Sequence, residues 1–202
     1  MEPLFELAAW VMLHPWPGAA LFLLVFAVLM AIGAPAGNVL LLLAGFLFGT
    51  VTGTLLAVAS LVLSAWGTHF LINTALGQWL QRRSIQGRWY AASTLLARGH
   101  WPLLLLVRMV PLAPFFLVNV ALVLSGVPLR LYLLTTGFGV VPLSYLIGRI
   151  GAQFQQLDEL SAVAFRDVLL APGFYGPLAG IVLLTLLGWA ILRRMGTPAA
   201  RA

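Results

Sequence analysis

The sequence predicts an all-α integral membrane protein built as an inverted repeat, with two re-entrant hairpins, about four transmembrane helices and amphipathic helices at the interface. Three observations support this fold class. Hydrophobic residues make up 62% of the 202 residues and charged residues only 8%, a composition typical of polytopic membrane proteins. Two apolar stretches are interrupted by prolines and glycines where a spanning helix should continue. The two halves of the chain also resemble each other.

The predicted elements begin with an interfacial segment at residues 1–15, whose tryptophans suit the headgroup region. A membrane core follows at 16–152, and the remainder, 153–202, holds a polar loop, a last transmembrane helix and a basic tail. Within the core and the tail, the predicted spanning helices are 16–32, 50–76, 129–150 and about 174–192, and a basic amphipathic helix is predicted at 78–100.

The second predicted hairpin, at about 102–127, contains the most unusual stretch of the chain. Pro111 and Pro114 remove two backbone donors and break the helix, and Arg108 and Asn119 lie nearby. An arginine at membrane depth costs roughly 2.5 to 3.5 kcal/mol on insertion scales. We therefore expect this segment to enter the membrane and turn back, with the broken backbone and the guanidinium facing a polar cavity.

The first predicted hairpin, at about 33–49, is also too short to span. Its apolar run from Asn38 to Gly49 has about eleven residues, whereas a spanning helix needs roughly 20. Glycines and prolines are expected to shape the two hairpins. They are Gly33, Pro35, Gly37, Gly45, Gly49, Pro111 and Pro114.

The two hairpins are related by a weak repeat, since LAGFLFG at 43–49 aligns with VALVLSG at 120–126. One membrane crossing lies between them, so they should enter from opposite faces, as in many secondary transporters. Most of the arginines lie on the face predicted to carry both termini. They are Arg82, Arg83, Arg88, Arg98, Arg130, Arg193, Arg194 and Arg201. The positive-inside rule then predicts a multi-pass protein with both termini cytoplasmic.

The motifs resemble those of the DedA family, also called the SNARE-associated or VTT-domain family, and in particular its TVP-type branch. The most specific of them is RMVPLAPFFLVN at 108–119, supported by AGFLFG at 44–49 and SGVPLRLY at 125–132. The resemblance implies two re-entrant hairpins in an inverted repeat and movement of lipids across bilayers. The resemblance also implies proton coupling, as proposed for the family. The acidic residues typical of the DedA branch are missing from the first hairpin, which here reads Ala36-Gly37-Asn38, and this argues against proton coupling.

Four polar residues are candidate substrate-binding residues. Arg108 could bind the phosphate of a lipid head group, or it could cap free carbonyls of the opposite hairpin. Arg130 could guide an anionic head group, or it could simply snorkel to the interface. Asn38 and Asn119 could line a polar path, or they could satisfy backbone groups freed by the prolines.

Enzyme, metal and cofactor sites are not expected. The chain has no cysteine, and His14, His69 and His100 lack the spacing of metal ligands. No Asp/Glu pair lies near the predicted core, and the sequence has neither a phosphate-binding glycine loop followed by Lys nor a Ser-His-acid set on one face. The basic excess of +6 indicates membrane orientation and anionic lipid rather than nucleic acid.

Together with the resemblance, these features predict a flippase- or scramblase-type translocator of an anionic lipid in a bacterial inner membrane, acting on either a polyprenyl phosphate or a phospholipid. An ion- or proton-coupled carrier of a small solute is the alternative. The expected partners are membrane lipids. Small residues along the helix at 50–76, from Gly53 to Gly67, permit a close contact either inside the chain or with a second copy in a homodimer.

Overall fold

The computed structural model describes residues 14–74, 101–109 and 114–154, with a few helical positions between 179 and 190. All regular structure in these ranges is helical. The six helices are α1 Pro15–Ala31, α2 Gly37–Phe48, α3 Thr50–Asn73, α4 Trp101–Met109, α5 Phe115–Leu124 and α6 Leu129–Phe154. The predicted interfacial segment up to residue 13, the amphipathic helix at 78–100 and Pro111 lie outside the described residues, as does most of the segment after 154.

Two of these helices, α3 with 24 residues and α6 with 26, are long and apolar enough to cross a membrane by length and composition. The apolar helices α1, α2 and α5 are shorter, with 17, 12 and 10 residues. At about 1.5 Å per residue, α2 and α5 span roughly half of a bilayer core of about 30 Å. Of the four predicted spans, the described residues therefore contain two of full length, and the last predicted span lies mostly outside them.

Two of the short helices, α2 and α5, are followed by a glycine with a positive φ. Gly49 follows α2 with φ 75°, and Gly126 lies just beyond α5 with φ 72°. Only glycine adopts this conformation at little cost, so both positions stop a helix and redirect the chain. A long helix then begins in both cases, α3 at Thr50 and α6 at Leu129.

The long helices α3 and α6 form an antiparallel central pair. Near the end of α3, the carbonyl of Ala65 accepts a hydrogen bond of 3.1 Å from the hydroxyl of Tyr132, which lies near the start of α6. Near the start of α3, Thr54 faces Gly148 in the second half of α6. The helices α1, α2 and α5 pack on α3, while α2 and α4 pack on α6.

Backbone-to-backbone contacts explain several small residues in this core. A methyl group on Gly45 of α2 would overlap the carbonyl of Gly148 in α6, and one on Gly151 would overlap the carbonyl of Leu42. Glycine is therefore required for α2 to approach α6 this closely. On α3, the small residues Ala57, Ser60 and Ser64 are buried within this one chain, so that face makes an internal contact.

Large apolar side chains cover much of the outside of the central pair. Exposed examples on α3 are Trp66 and Phe70, and on α6 they are Leu134 and Phe138. An apolar exterior of this kind is expected where lipid tails, rather than water, surround the helices.

Candidate functional site

A cavity of about 430 Å³ lies where the turn before α2 meets the start of α5. This volume is within the range of ligand-binding pockets in proteins. Three groups of residues line it. The turn and the start of α2 contribute Gly33, Ala34, Pro35, Gly37, Asn38 and Val39; α4, α5 and the residue before α5 contribute Val107, Arg108, Pro114, Phe115, Phe116 and Val118; and the surrounding core contributes Met30, Leu41, Leu61, Val140, Leu143 and Ser144. The cavity thus lies between the two segments in which the helices are interrupted.

Gly33 joins these two segments directly. It has φ 86°, and a Cβ atom built on it would lie 2.9 Å from the ring of Phe116 in α5. The missing side chain lets the turn before α2 pack flat against this ring, and the positive φ reverses the chain after α1. The shape of the cavity therefore depends on the absence of a side chain at Gly33.

Arg108 lies in the last turn of α4 and is only 5% exposed. Its three guanidinium nitrogens are buried and have no hydrogen-bond partner among the described residues. Two aromatic rings flank the guanidinium instead, with Cζ 5.1 Å from the ring centroid of Phe115 and 5.1 Å from that of Tyr132. Both distances are within the range of cation–π attraction, which partly offsets the cost of burying the charge.

The two rings are held differently. Tyr132 is fully buried in the core, and its hydroxyl donates to the Ala65 carbonyl on α3. Phe115 is only partly buried, begins α5 and lines the cavity, whereas Tyr132 does not. Gly139 of α6 provides the space for Arg108, because a methyl group there would overlap the Arg108 Cβ atom.

No acidic residue balances Arg108 within the described chain. The acidic residues of the sequence are Glu2, Glu6, Asp158, Glu159 and Asp167, and all of them lie outside the ranges 14–74, 101–109 and 114–154. A buried cation without a partner is costly. The site is therefore suited to an anion that supplies the missing charge and accepts the free N–H groups.

Ser144 adds a second unused donor to the same cavity. It is 1% exposed, and its hydroxyl has no hydrogen-bond partner among the described residues. Most other buried serines and threonines of α3 and α6 bond to the carbonyl four residues earlier. They are Thr54, Ser60, Thr68, Thr135 and Thr136. Because Ser144 does not form this bond, its hydroxyl remains available as a donor to a ligand.

The structure brings together six of the residues singled out in the sequence. Arg108, Asn38, Gly33, Pro35, Gly37 and Pro114 all line the cavity. The other described candidates lie elsewhere. Asn119 is fully buried in α5, with both amide atoms lacking a partner among the described residues, and it does not line the cavity. Arg130 is exposed at the start of α6.

Four residues of the site were not predicted as site residues: Phe115, Tyr132, Gly139 and Ser144. Phe115 and Tyr132 belong to the motifs RMVPLAPFFLVN and SGVPLRLY, but nothing in their spacing indicates that their rings flank one guanidinium. Ser144 could have been noticed as a hydroxyl residue in an apolar helix segment, close to Pro142. The contact between Gly139 and Arg108 joins α6 to α4 and has no signal in the sequence.

In the described part of the chain, these features are those of a helical membrane protein with a buried cationic site between two broken segments. A sequence model of the VTT domain matches residues 34–153, which is more than half of the chain. The chain therefore belongs to the VTT-domain family, the domain of DedA/SNARE-associated proteins, as the motifs indicated. This family is generally regarded as transporter-like rather than enzymatic. No curated protein and no solved structure matches the chain significantly.

Proposed function

We propose that this protein translocates an anionic lipid, a polyprenyl phosphate or an acidic phospholipid, whose head group passes through the cavity while its tail stays in the bilayer. One observation carries the proposal. Arg108 is a buried guanidinium that has neither a hydrogen-bond partner nor an acidic neighbour among the described residues, and it lines a cavity formed by both interrupted segments.

The chemistry of the cavity fits a phosphate head group. A guanidinium offers a planar fork of N–H donors that matches two phosphate oxygens, and the hydroxyl of Ser144 can donate to a third. At an effective dielectric constant of about 20, the attraction between unit charges 4 Å apart is about 4 kcal/mol, enough to lower a crossing barrier substantially. The apolar remainder of the lining, including Leu61 and Val140, can contact the first part of the tail.

An inverted repeat in a bacterial inner membrane, with both termini cytoplasmic, is part of the proposal. The antiparallel pairing of α3 and α6 supports it, as does the matching order of short helix, left-handed glycine and long helix in the two halves. In this arrangement α2 and α5 enter from opposite faces as re-entrant elements.

The topology can be tested with single cysteines, because the chain contains none. The exposed residues Val51, at the start of α3, and Arg130, at the start of α6, are suitable positions. An impermeant thiol reagent applied to intact cells should label only one of the two, Val51→Cys. Labelling of both positions from the same side would exclude the inverted repeat.

The function can be tested by reconstituting the purified protein in liposomes with a labelled polyprenyl phosphate, an acidic phospholipid or a zwitterionic phospholipid. Wild-type protein should move at least one anionic lipid, and Arg108→Ala should abolish the movement. Arg108→Lys should retain only part of it, because lysine keeps the charge but loses the fork. Arg149→Ala is the matched control, since Arg149 is an exposed arginine of α6 outside the cavity.

Two outcomes would contradict the proposal. If Arg108→Ala moved lipid as fast as Arg149→Ala, Arg108 would have no role in transport. If correctly inserted wild-type protein moved no lipid but carried a substrate-dependent current, the protein would instead be a coupled carrier of a small solute.

A further inference from the structure

We infer that Phe115 is the access-controlling residue of the cationic site: its ring packs against the Arg108 guanidinium and must move before an anion in the cavity can reach the buried N–H groups. The inference rests on the proposed function for the identity of the anion. The need for a movement itself follows from the burial of the three guanidinium nitrogens.

The first part of the argument is the burial of the cation. Arg108 is among the residues that line the cavity, yet its three guanidinium nitrogens are buried. An anion placed in the cavity could not form hydrogen bonds to these nitrogens without a local movement. The arrangement therefore corresponds to a closed state of the site.

The second part identifies which side chain moves. Both rings lie 5.1 Å from the guanidinium carbon, but only that of Phe115 also lines the cavity. Tyr132 is fully buried and is held by its hydrogen bond to Ala65, so it forms a fixed support. Phe115 has no hydrogen-bonding group, is partly exposed, and begins α5 directly after Pro114. A rotation of this one side chain, or a small shift of the start of α5, uncovers the guanidinium.

The third part is energetic. While Phe115 covers Arg108, the ring quadrupole partly stabilises the charge, so the empty site tolerates a buried cation. An anion that reaches the N–H groups forms charge-assisted hydrogen bonds that are stronger than this contact, so it can offset the cost of moving the ring. Breaking a partly desolvated cation–π contact lowers the equilibrium constant of anion binding about tenfold. Phe115 should therefore lower the affinity for the anion by about that factor.

The experiment measures how fast Arg108 reacts with phenylglyoxal, an arginine-selective reagent. The full-length protein is embedded in lipid nanodiscs, and the modified peptide is quantified by mass spectrometry. Phe115→Ala should react about tenfold faster than wild type. Phe115→Tyr keeps the ring and should react at nearly the wild-type rate. Phe116→Ala is the matched control, since Phe116 lines the same cavity but packs on Gly33 rather than on Arg108.

The same measurement is repeated in nanodiscs containing a polyprenyl phosphate or an acidic phospholipid, with zwitterionic nanodiscs as reference. Protection of Arg108 should require about tenfold less anionic lipid in Phe115→Ala. Equal reaction rates in Phe115→Ala and Phe116→Ala would overturn the inference, since the effect would then be a general loosening. Faster reaction in Phe115→Ala without protection by either lipid would retain the access role and count against the proposed function. Protection by lipid without a faster reaction in Phe115→Ala would support the proposed function and overturn the access role of Phe115.

Discussion

Gly139 of α6 should determine whether Arg108 can occupy its site. A Cβ atom on Gly139 would overlap the Cβ atom of Arg108 and lie 3.3 Å from the Leu105 carbonyl. These atoms are at or near the backbone of α4 and cannot swing aside, so Gly139→Ala must push α4 away from α6. Overpacking of this kind costs about 1–3 kcal/mol, against a gain of up to about 1 kcal/mol from the helix propensity of alanine.

A matched control lies two residues earlier in the same helix. A Cβ atom on Gly137 would meet Val62 at 3.6 Å, an ordinary van der Waals distance. Gly137→Ala should therefore be neutral or slightly stabilising, by up to about 1 kcal/mol. The two substitutions add the same methyl group to the same helix, so their difference in the free energy of unfolding, about 1–3 kcal/mol, measures the overlap with Arg108.

Gly139→Ala should also slow transport strongly. If α4 moves by about 1 Å, the guanidinium no longer meets the head group in the right geometry, and misplacement of this size can cost about 100-fold in rate. The assay is lipid translocation in liposomes at equal amounts of inserted protein, together with thermal unfolding in detergent. Equal stability and equal transport in Gly139→Ala and Gly137→Ala would refute the close packing of α4 on α6 and the dependence of Arg108 on it.

Three further predictions test other contacts. Gly45→Ala should lower the free energy of unfolding by about 1–3 kcal/mol, because its methyl group meets the backbone of Gly148; unchanged thermal stability would argue against this contact. Tyr132→Phe removes the hydrogen bond to Ala65 but keeps the ring beside the guanidinium, so about 1 kcal/mol of stability should be lost while translocation at matched folded protein stays near wild type. Ser144→Ala should leave stability unchanged, since its hydroxyl makes no bond with the described residues, but should slow translocation about five- to tenfold; a wild-type rate would remove Ser144 from the site.

The membrane character and the main breaks of the chain were accessible from sequence, because both depend on local chemistry. Apolar runs long enough to span predicted the two long helices, and the structure has them at Thr50–Asn73 and Leu129–Phe154. Proline and glycine predicted the interruptions before α2 and between α4 and α5, since these residues limit backbone geometry whatever surrounds them. Arg108 was also singled out from sequence, because a charge within an apolar stretch is costly unless it has a role, and the structure buries it beside the cavity.

Only the tertiary structure decided which residues surround that arginine. Asn119 and Asn38 are similar candidates in sequence, yet Asn119 is buried away from the cavity and Asn38 lines it. Phe115 and Tyr132 are 17 positions apart in the chain, and their rings flank one guanidinium because α4 and α6 approach each other at Gly139. Such contacts depend on which helices pack together and on how closely they pack. The sequence determines that each helix forms, but the distances between helices arise only when all of them share one core.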